Sequence, residues 1–371
     1  MRRAAILTIL VFSAACASAP SGKASSAGAP RAPYDAPPAA PHGIDVQIDA
    51  RAAREILESL SRLRVDLQDA RLLEDLPAVR LTIQDSTRAP DVFERDFAAA
   101  FEEKARTSVF DFRTIRQERD RWKVLLDGVV SREKDLVRLA EQRAAALLPG
   151  DRTVNARVRV YLTFGLAGLA DHLVLPGSGG QDTMVIDLAR ALGESQGEPL
   201  ESLVSRLARL VGGEAFRQAW AIYRRDNPAW AHAQPQTAPI DLLLSAVAEA
   251  GPASVFAVDE NFFPLSVWLK VPMKRTLDEL NRRSERFGQA QDNLEARMEL
   301  TTELRRPEFL RQLGGPAGAF LADAIIQTSG LGALRESLQK GPKAFFQAYD
   351  KACQLDRSLV PLSHVIRERL K

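Results

Sequence analysis

The chain has 371 residues with 50 Lys and Arg against 48 Asp and Glu, and its length allows one large domain or two ordinary ones. At 46% hydrophobic and 26% charged it has ordinary globular composition, which excludes a disordered, collagenous or multi-span membrane chain, and a formal charge of +2 excludes the broad basic field of a nucleic-acid binder. Two cysteines cannot build a disulfide framework, and four histidines leave little material for imidazole-based metal sites.

The chain opens on an export signal. Met1-Arg2-Arg3 is a short positive region, and the apolar run from Ala4 to Phe12 falls well short of the about 20 residues needed to span a bilayer. Ser13-Ala14-Ala15 then leads to Cys16. This ending resembles a bacterial lipobox, with Ser13 where that motif usually has Leu; the alternative is ordinary signal cleavage with Cys16 incidental. The resemblance implies cleavage after residue 15 and a lipid on the Cys16 thiol. The protein would then be held on the cell envelope, and Ala17 after the cysteine is compatible with the outer membrane of a Gram-negative host.

Residues 17–42 comprise 9 Ala, 6 Pro, 4 Ser and 2 Gly, so this stretch has almost nothing to bury. With Cys16 it forms segment 16–42, read as a lipidated tether with a reach of roughly 30 to 80 Å. Removing residues 1–15 takes away Arg2 and Arg3 and balances the remaining charges. Membrane association therefore rests on Cys16 rather than on net charge.

The folded part is expected as a single large domain over 43–371. Ile44 to Asp49 alternates with period two and predicts a strand, and Asp49 is placed to cap a helix over 51–64 with Ala53, Ile56, Leu57, Leu60 and Leu63 on one face. Two further helices are expected at 91–106 and 111–148. In the second, Trp122, Leu125, Leu126, Val129, Val130, Leu136, Val137 and Ala140 form a core-facing stripe.

Val154 to Phe164 and Asp182 to Leu188 are β-like runs. The intervening Pro176-Gly177-Ser178-Gly179-Gly180-Gln181 has neither the Lys-Ser/Thr of a phosphate loop nor Rossmann spacing, and reads as a plain turn. From Pro199 the pattern is helical, beginning with the face Leu200, Leu203, Val204, Leu207, Leu210 and Val211. A long solvated helix is expected over 273–304. The apolar stretch Phe262, Phe263, Leu265, Val267, Trp268 and Leu269 before Pro272 reads as core or as the lining of a groove. The fold class is α+β, predominantly helical with a small sheet.

Several chemistries are excluded by what is missing. There is no Gly-x-Ser-x-Gly elbow, Cys-x-x-Cys pair or Walker loop, and Cys353 reads as structural. His42, His172, His232 and His364 are never four residues apart, so no His-Glu-x-x-His helix is present.

The order of segments nevertheless points to a family. The run ending at Leu188 leads into Ala189-Arg190-Ala191-Leu192-Gly193-Glu194-Ser195-Gln196-Gly197, and a later helix carries Leu242 to Ala253 with Glu249-Ala250-Gly251-Pro252-Ala253. Gly314 to Ile326, Gly330 and Pro342 to Tyr349 follow. This order resembles the zinc-dependent peptidases of gluzincin type, and the resemblance implies a zincin-like architecture over most of residues 43–371.

Under that resemblance Gly193 and Gly197 take the positions of the two histidine ligands, Glu194 that of the general base, and Glu249 that of the third ligand. Glycine offers no ligand atom, so Glu194 becomes a vestigial base and neither a metal nor another cofactor is expected. A bland reading stays open, in which Gly193 ends a short helix and residues 194–199 form a loop. The function expected is non-catalytic: a lipid-anchored envelope module that binds a peptide or protein partner or serves a structural role, with no nucleic-acid partner. The alternatives are an active metallopeptidase or other hydrolase with a non-standard site, for which His172, His232, Glu194 and Glu249 would have to converge, and a helical envelope scaffold unrelated to zincins.

Overall fold

The computed structural model describes residues 42–64, 67–85, 90–102, 109–166, 171–175, 181–193, 197–230, 238–258, 265–290, 293–304 and 306–371. The expectations placed on Cys16, the tether up to residue 41, the loop residues 176–180, Glu194, His232, Phe262 and Phe263 lie outside these residues.

Four strands, β1 (Gly43–Asp49), β2 (Asn155–Thr163), β3 (His172–Leu175) and β4 (Gln181–Asp187), form one mixed sheet in the order β1-β2-β4-β3. The strands β1, β2 and β4 are parallel, and β3 runs antiparallel to β4 at the edge. Along β2, Ala156, Val158 and Val160 are buried while Asn155, Arg157 and Arg159 are exposed; from Val160 to Thr163 every residue is buried. Alternation at the start and a continuous apolar run at the end are the marks of a strand covered on one face and then on both.

Among the described residues, seven helices separate β1 from β2: α1 (Arg51–Ser61), α2 (Leu67–Glu74), α3 (Pro77–Asp85), α4 (Pro90–Ala99), α5 (Phe112–Gln117), α6 (Arg119–Ser131) and α7 (Glu133–Leu147). The first follows the expected face as far as Leu60, burying Ala53, Ile56, Leu57 and Leu60, but it ends at Ser61, and Leu63, expected on that face, is exposed. Asp49 acts one position before its expected place, accepting the Arg51 N–H at 2.9 Å while Ala50 occupies the cap. The single helix expected over 111–148 is three helices, because the backbone leaves helical geometry at Glu118 and Arg132. Both breaks fall inside polar runs, six residues over Arg116–Arg121 and five over Ser131–Asp135, which leave no apolar side chain to hold the turn on the core. The stripe survives the breaks, with Trp122, Leu126, Val129, Leu136 and Ala140 buried.

After β4 come α8 (Leu188–Ala191), α9 (Leu200–Asp226), α10 (Pro239–Val258), α11 (Val267–Gln289), α12 (Leu294–Leu304), α13 (Pro307–Phe309), a π-turn at Leu310–Gly314, α14 (Gly315–Lys340, kinked at Gly330), α15 (Pro342–Leu355) and α16 (His364–Leu370). The helix expected over 273–304 is divided between α11 and α12, and Pro272 lies inside α11 rather than ahead of it. The segments 239–256 and 310–340 are apolar and long enough to cross a membrane by composition, yet more than half of each is buried inside the fold. Helices α10 and α14 meet backbone to backbone: a Cβ on Gly318 would lie 2.5 Å from Gly251 Cα and from the Val247 carbonyl oxygen. The architecture is α+β, predominantly helical with a small mixed sheet, as the sequence pattern predicts.

Candidate functional site

The site is built from the end of β4 onward. Asp187 closes that strand with its carboxylate buried, accepting N–H groups from Gly165 and Leu166 at 3.0 and 2.8 Å and from Ala189 and Arg190 at 2.9 and 3.3 Å. Burial pushes its pKa upward, and the four donors and Arg190 oppose that shift only in part. The side chain ties the exit of β2 to the start of α8 and so fixes where the chain leaves the sheet.

The next long helix, α9, packs on β2 and β4 and is flanked by α7 and α10. Its stripe of Leu203, Val204, Leu207 and Val211 is buried as expected. Halfway along stands Gly213-Glu214-Ala215-Phe216-Arg217. A His-Glu-x-x-His helix carries imidazoles at positions i and i+4 and its base at i+1. Laid on this helix with Glu214 as the base, that spacing would set the imidazoles at Gly213 and Arg217.

Arg217 closes this cluster. Its guanidinium holds the Glu214 carboxylate through Nε at 2.9 Å and Nη2 at 2.5 Å, and Nη2 also reaches Asp182 on β4 at 2.5 Å. Glu214 and Asp182 are buried, whereas the Arg217 side chain is 47% exposed. Hydrogen bonding to Glu214 raises the Arg217 pKa above its ordinary value against the opposing effect of burial. The Gly213 position is filled from α10, since a Cβ there would lie 2.8 Å from Phe256 Cβ.

The residues singled out in the sequence are placed differently. Gly193 lies in a turn after α8, where its carbonyl accepts from Arg121 at 3.0 Å, and Gly197 lies in a turn with φ of +81°. Neither is on a helix, because α8 ends at Ala191 and α9 begins only at Leu200, with Pro199 at its cap. Glu249 sits on α10 against the far end of α9, with its carboxylate on Arg224 at 2.6 Å and its carbonyl accepting from Trp220 at 3.0 Å. Arg224 is ten residues beyond Glu214, about 15 Å along the helix axis, so Glu249 and Glu214 are not brought together.

His172 lies on the edge strand β3, 2.6 Å from the Asp171 carboxylate, whose pKa that hydrogen bond lowers. His364 is exposed at the start of α16. Cys353 is half-buried beside Tyr349, and burial pushes its thiol pKa up, away from the reactive range. Sequence reasoning did not single out Asp182, Glu214 and Arg217. Two of them could have been found by searching helix-spaced x-Glu-x-x-x patterns after a β run without requiring histidine.

The donor set does not fit zinc. Gly213 has no ligand atom, Arg217 stays protonated and donates only, and both carboxylates of the cluster are engaged by its guanidinium. Among the described residues, no three His, Cys, Asp or Glu side chains are grouped for a metal ion.

The fold is a helix-rich α+β domain with a small mixed sheet. The family described as "Putative zinc dependent peptidase (DUF5700)" matches residues 73–358, more than three quarters of the chain, and the chain belongs to that family. No curated protein and no solved structure matches it.

Proposed function

We propose that the protein is an exported, lipid-anchored member of its family that has left zinc catalysis and acts as a binding or structural module of the cell envelope. The observation that carries this reading is the Arg217 clamp on Glu214 and Asp182, with Phe256 packed where the first imidazole would need to grow. A glutamate serves as general base only while its lone pairs are free to take a proton from an activated water. Here the guanidinium occupies both oxygens of Glu214. The anchor is supported by Arg2-Arg3, the short apolar run and Ser13-Ala14-Ala15-Cys16.

Metal analysis and a proteolysis assay of chain purified without chelator test the catalytic part. The expected result is zinc far below one equivalent and a melting temperature indifferent to chelator. About one tightly held zinc per chain, lost together with proteolytic activity in Glu214→Ala or Glu194→Ala, would overturn the reading. Labelling with a radioactive fatty acid tests the anchor, which requires that Cys16→Ser take up no label.

A further inference from the structure

Helix α11 begins with an apolar tip facing solvent. Val267, Trp268 and Val271 are 80, 72 and 56% exposed, and Pro272 is exposed beside them. Helical spacing puts these four on one side. Lys274 and Arg275 continue that side, both exposed and neither in an ion pair among the described residues. Residues 267–277 hold Lys270, Lys274 and Arg275 and no carboxylate, although the whole chain is nearly balanced.

The tip is held outward by its opposite side. Asp323, buried in α14, accepts the Leu265 N–H at 2.8 Å and pairs with Lys270 at 3.0 Å. Leu265, Met273, Leu277 and Leu280 are buried along the same side. With these contacts fixed, α11 cannot roll Trp268 inward.

We propose that this tip docks on an anionic membrane surface, with Val267, Trp268 and Val271 entering the boundary between headgroups and acyl chains and Lys274 and Arg275 meeting lipid phosphates. Tryptophan suits that boundary because its ring is apolar and its N–H polar. From Val267 to Arg275 the helix rises about 12 Å. That distance sets the two cations at headgroup level when the apolar tip is sunk by about 5–10 Å. Charge complementarity selects anionic lipid over an apolar protein partner, because the two charges nearest the tip, Lys274 and Arg275, are cations in no ion pair among the described residues, and Asp278 and Glu279 lie a turn farther from it. In the cell this docking rests on the lipid-anchor reading, in which residues 17–42 tether the domain to the bilayer.

The test uses the full, unlipidated Cys16→Ser chain and vesicles of phosphatidylcholine with or without phosphatidylglycerol. Trp122, Trp220 and Trp230 are buried, so a change in tryptophan emission reports Trp268. The expected result is flotation with the anionic vesicles and a blue shift, both lost in Trp268→Ala and partly kept in Trp268→Phe. The Lys274→Ala/Arg275→Ala chain should bind about twentyfold more weakly at low salt, about fivefold for each charge removed. All three side chains are solvent-facing, so the variants should melt with their parent. The proposal is overturned by absence of flotation, by flotation that ignores these substitutions, or by light scattering that shows the blue shift to come from a dimer closing over Trp268. Failure here leaves the fatty-acid result untouched, and a chain that takes up no label leaves vesicle binding to stand on its own.

Discussion

Arg217 is a half-exposed cation that holds two buried carboxylates together. Replacing it with Met keeps the stem but leaves Glu214 and Asp182 facing each other unpaired. Breaking a fully buried pair costs about 3–5 kcal/mol; half of this guanidinium faces solvent, so the expected loss is about 1–2 kcal/mol in urea denaturation. His42 gives a second prediction. It is the first described residue and, although assigned to the tether, its ring is half-buried and accepts the Val154 N–H at 3.4 Å. Burial, and then Arg335, lower its pKa. The unfolded chain therefore takes up the proton first, so stability is full above about pH 6.5 and declines as pH falls through the window below it. Melting curves between neutral and mildly acidic pH should show this decline, and His42→Asn should flatten it. At this scale the sequence is legible where burial follows periodicity, as at Trp122, Val129 and Leu207. The Asp182–Glu214–Arg217 cluster was not, because it joins a strand to a helix 35 residues on and no spacing rule encodes that contact.

Among the elements, α1, β1, β2, β4 and the apolar face of α9 were legible because each carries a strong period of its own. Strand β3 was not: His172–Leu175 is four residues long and each is only partly buried, too short for a period to show. The stretch read as core or groove before Pro272 divides at the start of α11, with Leu265 inside and Val267 and Trp268 outside, because Asp323 fixes which side of that helix meets α14. The α10–α14 contact makes the prediction at this scale. Alanine at Gly318 should favour the helix by about 1 kcal/mol on propensity alone. Its Cβ would instead meet backbone atoms on α10 that cannot yield, so Gly318→Ala is expected to destabilise by about 1–3 kcal/mol, read as a lower melting temperature.

For the whole molecule, the composition and segment order were enough for the fold class and for the family, which matches from within α2 to just beyond α15. On the proposed reading, in which no zinc is held, EDTA-treated and untreated chains should melt together in calorimetry, whereas a tightly bound zinc would make chelation lower the melting temperature.

The pairing of β1 bears on how the chain reaches this state. Gly43 lies opposite Asn155, so among the described strands β1 finds its neighbour in the sheet 112 residues later. Parallel pairing over such a separation closes late for reasons of chain entropy. Until β2 is in place, β1 is an unpaired edge open to other chains.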